Sequence, residues 1–157
     1  MAWLDLVRWL HVLGACVLIG TGAGIAFFMV MAHRTGNAAS IAHTASVVVV
    51  ADMVFTATAV VLQPITGLGL AWGLGWPLSE GWLVLSIALY FSIGLLWLPV
   101  VFIQIGMRNE ATASVRDGTA LSPRYARLYR IWFACGVPAF AAILIILWLM
   151  LTRPAIG

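Results

Sequence analysis

Four long apolar stretches, separated by short polar interruptions, make up most of this chain. They cover residues 9–32, 44–68, 82–106 and 131–152, and each reaches the ~20 apolar residues a spanning helix needs. The interruptions, "HRTGNAASIAH", "GLAWGLGWPLSEG" and "MRNEATASVRDGTALSPRYARLYR", read as loops rich in turn formers. At the end of the last one, Ser122 and Pro123 have the chemistry of a helix start, a capping hydroxyl followed by proline at the first helical position. The pattern predicts an all-α fold: one integral-membrane, antiparallel four-helix bundle over residues 1–157, without repeats or a second domain.

Composition supports this reading. The chain is 64% hydrophobic and 8% charged, with mean hydropathy +1.09, whereas a soluble domain is about 25% charged. The lipid bilayer is therefore its expected main partner. The net charge of +3 comes from arginine, because the chain has no lysine. These arginines sit at segment ends, which points to membrane orientation rather than to nucleic acid. Arg34, Arg108, Arg116, Arg124, Arg127 and Arg130 flank the first and third loops, while Arg8 and Arg153 lie on the opposite side. The positive-inside rule then puts those loops in the cytoplasm and both termini outside, with a bacterial inner membrane as the expected location. Trp3, Trp72, Trp76 and Trp82 would form the outer aromatic belt. Two cysteines, Cys16 and Cys135, are too few for a disulfide framework and read as small buried hydrophobes. "LGAC" ending at Cys16 is not a lipidation signal, because the apolar run continues well past it.

Polar groups inside these segments are costly, roughly 2.5–3.5 kcal/mol for an aspartate at a helix centre, and normally face the bundle interior. In the second segment Asp52, Thr56, Ala59 and Gln63 share a helix face. In the third, Ser86, Tyr90, Trp97, Gln104 and Arg108 do so, and in the first Arg8, His11, Gly14, Ala15, Leu18 and Gly22. The fourth offers Tyr125, Tyr129, Trp132 and Gly136. At about 1.5 Å per residue His11 lies ~12 Å below Trp3. Gln63, Tyr90 and Trp148 reach similar depths; Asp52 and Trp97 lie nearer the middle. His33 and His43 bracket the first loop.

His11 has two readings: an interior histidine bonded to Tyr90 or Gln63, or an axial ligand to haem b in a pocket shaped by Gln63, Tyr90 and Trp97. No second histidine shares its depth. His33 and His43 read as loop residues or as a second site at the inner surface, and a structural zinc site lacks its ligand spacing. Asp52 holds helices in register or acts as a proton carrier, the one catalytic candidate. "GTGAG" at residues 20–24 reads as close helix packing. Pro64, Pro99 and Pro138 free backbone carbonyls inside three spans. No nucleophile with a base and an orienting acid can be assembled.

"VRWLHVLGACVLIGTGAGIAFFMVMAHRTG", "VVVADMVFTATAVVLQPITG", "WLVLSIALYFSIGLLWLPVVFIQIGMR" and "YRIWFACGVPAFAAILIILWLMLTRP" together resemble a bacterial family of predicted integral membrane proteins of unknown function, domain of unknown function 2269, along nearly the whole chain. The first span is also similar to that of the HemJ-type membrane protoporphyrinogen oxidases, with His11 early in the helix and His33 at its end. That resemblance implies haem b on His11. The third-helix lysine of that family has no counterpart here, so protoporphyrinogen oxidation does not carry over. The leading expectation is a small inner-membrane protein binding haem b through His11 for electron transfer or oxidoreductase chemistry, with a quinone as candidate partner. The alternatives are a cofactor-free accessory subunit of a larger membrane complex and a proton-coupled transporter using Asp52, acting as a homo-oligomer.

Overall fold

The computed structural model describes residues 2–156. It contains four helices: α1 (Ala2–Arg34), α2 (Ala38–Gly73), α3 (Gly81–Asp117) and α4 (Pro123–Thr152), each long and apolar enough to cross a membrane. Short loops at residues 35–37, 74–80 and 118–122 make consecutive helices antiparallel. Both termini and the middle loop lie at one end, here the terminal end. The other two loops and most arginines lie at the arginine-rich end.

All four helices outrun the apolar segments that signal them. Hydropathy marks only the part that needs lipid, whereas alanine, arginine, glutamate and methionine favour helix in water too. So α3 continues through "MRNEATASVRD" and stops at Gly118, whose φ of 63° is left-handed and whose N–H caps the Ser114 and Val115 carbonyls. At its tip the Arg116 guanidinium hydrogen-bonds Asp117 and holds that exposed carboxyl below its usual range. The expected first loop shrinks to a tight turn: α1 runs through His33 and Arg34, and Asn37 caps α2 by accepting from Ser40 N at 2.9 Å. The start of α4 is as the sequence predicts, with Ser122 Oγ accepting from Tyr125 N at 3.1 Å ahead of Pro123. At about 1.5 Å per residue α1 is ~50 Å long, so its ends rise out of a ~30 Å hydrocarbon layer or the helix tilts.

Lipid tails are as apolar as leucine, so helices in a membrane associate through close packing and hydrogen bonds. Both halves of α2 pack on α1, its first half also packs on α3, and α3 and α4 form the most extensive pair. The larger core lies towards the arginine-rich end, where Met29, Ile41, Met107 and Ala111 are fully enclosed beside Tyr125 and Trp132. A smaller one, of Ala71, Trp82, Leu83 and Leu149, closes the terminal end. Only one glycine of "GTGAG" meets another helix: a Cβ on Gly22 would touch Phe140 of α4 at 3.7 Å, whereas Gly20 faces open space. The tight glycine of α1 is Gly14, which is buried. Cys16, expected inside, is exposed on the apolar outer surface, and Cys135 is only half-buried; a thiol is apolar enough to face lipid.

The inward face of α2 reads Ile41, Ala45, Val48, Asp52, Thr56, Ala59, Gln63, Thr66 and Leu70, all buried. Its spacing alternates threes and fours except around Asp52, where two fours follow each other. At that point the helix widens into a π-helical turn, Asp52–Thr56, in which the Ala57 N–H reaches the Asp52 carbonyl. The helices run unbroken through Pro64, Pro99 and Pro138.

Candidate functional site

Two polar layers cross the bundle. In the one nearer the terminal end, His11 Nδ1 lies 2.8 Å from Thr66 Oγ1. That hydroxyl is also 2.8 Å from the Leu62 carbonyl and 3.2 Å from that of Gln63. A threonine has one proton; with it on the Leu62 carbonyl, the arrangement of the other span hydroxyls that bond four residues back, Thr66 accepts from His11 Nδ1–H. That arrangement goes with the tautomer in which Nε2 keeps its lone pair. Gln63 Nε2 donates to the His11 backbone carbonyl at 2.8 Å and ties α1 to α2. The approach requires Gly14 and Gly67: a Cβ on Gly14 would collide with Gln63 Nε2, and one on Gly67 would stand 3.2 Å from His11 Cε1.

The Tyr90 hydroxyl donates to the Val60 carbonyl, and the sequence gives the reason. Val60 is four residues before Pro64, which has no N–H to return an intrahelical bond. Tyr90 of α3 satisfies the carbonyl that the proline leaves free. Three expectations for this layer are corrected. The His11 ring pairs with Thr66, because Gln63 and Tyr90 are both engaged by backbone carbonyls. Trp148 lies outside the layer, 64% exposed, and Arg8 faces outward, 3.6 Å from Asp5.

The second layer is built on Asp52, only 3% exposed. Trp97 Nε1 donates to Asp52 Oδ1 at 3.3 Å. With its amide oriented by its neighbours, Gln104 donates Nε2 to Asp52 Oδ2 at 3.1 Å and accepts from Trp132 Nε1 at 3.2 Å. Two donors of α3 thus meet the carboxyl of α2, and through Gln104 the network extends to Trp132 of α4. The bonds are longer than the ~2.7–2.9 Å of charge-assisted pairs. Among the described residues the ion pairs are Arg8–Asp5, Arg116–Asp117 and Arg124–Glu110, so no cation meets Asp52. One turn on, the buried Thr56 Oγ1 stands beside the Asp52 carboxyl without a hydrogen bond of ordinary geometry. Trp97, expected beside His11, belongs to this layer.

At the arginine-rich end His33 Nδ1 is 3.1 Å from the Tyr125 hydroxyl, and its ring stacks on Tyr129 at 3.6 Å. His43 lines a groove between α1 and α2. The two histidines therefore face different surroundings, and among the described residues no three His, Cys, Asp or Glu side chains gather as a metal site. Sequence reasoning missed Thr66 and the Gln104–Trp132 link. Thr66, three residues past Gln63, simply continues the inward stripe of α2.

The surroundings of His11 fit a haem in one respect only. A neutral imidazole with Nδ1–H engaged and Nε2 bare has the chemistry of an axial ligand. The walls expected around it do not form a slot: Gln63 and Tyr90 are tied to backbone, Trp97 is a layer away, and Gly67 closes on the ring edge. Two open grooves, of about 400 and 190 Å³, are not lined by His11. No curated protein and no solved structure gives a significant match to this chain. Residues 5–154 match the family described as predicted integral membrane protein (DUF2269), and with nearly its whole length inside that match this four-helix membrane bundle belongs to the family.

Proposed function

We propose that this protein is a proton-handling protein of the bacterial cytoplasmic membrane, with Asp52 as the group that binds and releases the proton. The observation that carries this reading is the central layer. A buried carboxyl stands on a π-helical turn, with N–H donors on both oxygens and, one turn away, a buried hydroxyl without a hydrogen bond of ordinary geometry. Indole and amide N–H groups favour the carboxylate, and removal of its charge weakens them. Protonation would thereby loosen α2 from Trp97 and Gln104 of α3, and through Gln104 from Trp132 of α4. The acid is thus tied to how three helices pack, which is what coupling a proton to a movement requires. The arginine-rich end faces the cytoplasm in this reading, and four spans make a homo-oligomer the working unit of a transporter. The test is infrared difference spectroscopy across a pH step in proteoliposomes. A carboxyl band that responds to pH in the wild type and vanishes in Asp52→Asn is expected; an unchanged band in the variant overturns the reading.

A second reading, haem b on His11, is favoured by one observation, the tautomer that leaves Nε2 bare. The haem would lie on the outer side of α1 or between two copies of the chain. A b-type reduced-minus-oxidised spectrum lost in His11→Ala would support it, and a colourless protein after expression with added haem would end it.

A further inference from the structure

We infer that Asp52, if it is the proton carrier proposed above, takes up and releases its proton through the terminal end of the bundle, by way of water held between the two polar layers. The two sides of the acid along α2 differ. Towards the arginine-rich end the inward stripe is Val48, Ala45 and Ile41, packed with Met29 of α1, Met107 of α3 and Trp132 of α4 in the larger core. For about three turns that stripe offers a proton nothing to bond. Towards the terminal end the same stripe carries Thr56, Gln63 and Thr66, all buried, and Tyr90 and Ser86 stand on the inward stripe of α3. The polar line ends at His11, half-buried on α1. The smaller core that closes this end includes no residue of α1, which leaves the α1 side, where His11 stands, as the mouth.

Between the layers there is room for that water. Trp97 reaches Asp52 and Tyr90 reaches Val60, which sets how α3 runs against α2. Thr56, midway between Asp52 and Val60, therefore stands level with Gly94, between Tyr90 and Trp97. Gly94 is half-buried, yet a Cβ there would meet no atom within 4 Å. At the same level the buried Thr56 Oγ1 lacks a hydrogen bond of ordinary geometry. A lipid tail in this room would leave the hydroxyl and the carboxyl unanswered. Water settles where there is space and two or more polar partners. Three partners are in place: the Thr56 hydroxyl, the Asp52 carboxyl and the Tyr90 oxygen, which keeps its lone pairs while its proton is on Val60. The acid has no rival at this depth. Between Glu80 and Arg108 the titratable side chain of α3 is Tyr90, and those of α1 between His11 and His33 and of α4 between Arg130 and Arg153 are Cys16 and Cys135.

The test compares two positions, one turn to either side of the acid. In a Cys16→Ala, Cys135→Ala background, Thr56→Cys and Val48→Cys each put a thiol at a buried point of the same stripe. A charged, water-soluble methanethiosulfonate is added to the full-length protein in liposomes; it reacts with thiolate, which forms only where water reaches the thiol. Thr56→Cys is expected to label about tenfold or more faster than Val48→Cys. Adding Gly94→Leu should slow that labelling about tenfold by filling the room. Gly136→Leu, in open space on the exposed side of α4, should leave it unchanged. In the protein with Thr56 intact, Gly94→Leu should also slow deuterium exchange at the Asp52 carboxyl, read by infrared. Equal labelling of the two thiols overturns the inference. So does labelling of Thr56→Cys that ignores Gly94→Leu, which would make the room a seat for lipid tails. An Asp52 band that does not respond to pH ends both the proton reading and the route, whereas a responsive band without the difference in labelling ends the route alone.

Discussion

The two polar layers are built from similar residues and end in opposite conditions. Around His11 every polar side chain is matched to a neighbour: Thr66 to His11 and Leu62, Gln63 to the His11 carbonyl, Tyr90 to the carbonyl that Pro64 leaves free. Around Asp52 the bonds are longer, the charge has no cation, and a buried hydroxyl lacks a hydrogen bond of ordinary geometry. A satisfied layer holds helices together at a fixed distance. One that is only partly satisfied stores a preference for another state, because a change in one proton rearranges what its donors can bond. The contrast separates helix attachment from working chemistry better than residue type does, since a histidine is usually the first suspect and here sits in the closed layer.

The comparison can be broken by mutation. The largest loss of stability is expected from Gly14→Leu, which drives a side chain into Gln63 and separates α1 from α2; thermal unfolding in detergent should show about 2–4 kcal/mol, against almost none for Gly20→Leu. Next comes Tyr90→Phe, at about 1–2 kcal/mol, because the Val60 carbonyl is then left alone. In a Pro64→Ala background the helix can supply its own N–H, so the same Tyr90→Phe change should cost close to nothing. A cost that persists in the double variant means that Tyr90 acts by packing. Thr66→Val should cost about 1 kcal/mol by releasing the His11 ring. The smallest change sharpens the contrast most: Thr56→Val should be neutral or stabilising by up to about 0.5 kcal/mol, since it removes a buried hydroxyl without a hydrogen bond of ordinary geometry to the protein. If Thr56→Val and Thr66→Val destabilise alike, the two layers do not differ in the way described.

The spans and the inward stripe of α2 are legible in the sequence because lipid imposes both: long apolar runs and costly polar residues turned to one side. Asp52, Thr56, Ala59 and Gln63 are all found on the buried face. Helix ends are not legible that way, because the polar extension of α3 is helical for reasons of propensity that hydropathy does not register. Partner choice inside the layers was also out of reach. Depth brings Gln63, Tyr90 and His11 together, but which group the ring meets depends on Gly14 and Gly67 letting α1 come close, and on Pro64 claiming Tyr90 for Val60. The π-helical turn has no glycine or proline to announce it. The steps of three and four along the buried face do not reveal it either, because their mean of about 3.6 residues per turn is that of an ordinary α-helix.

That turn has a consequence for how the protein can tolerate change. Elsewhere in a spanning helix, removing one residue rotates everything beyond it by about 100° and turns the inward stripe towards lipid. Between Asp52 and Thr56 the helix already carries one residue more than an α-turn holds. Losing Val54 there would let the turn relax to ordinary α-helix with Gln63 and Thr66 still facing α1, whereas losing Val61 would misdirect them both. The acid thus stands at the one described place in the four spans where the chain can be shortened without turning the helix beyond it, and a folded Val54 deletion beside an unfolded Val61 deletion would demonstrate it.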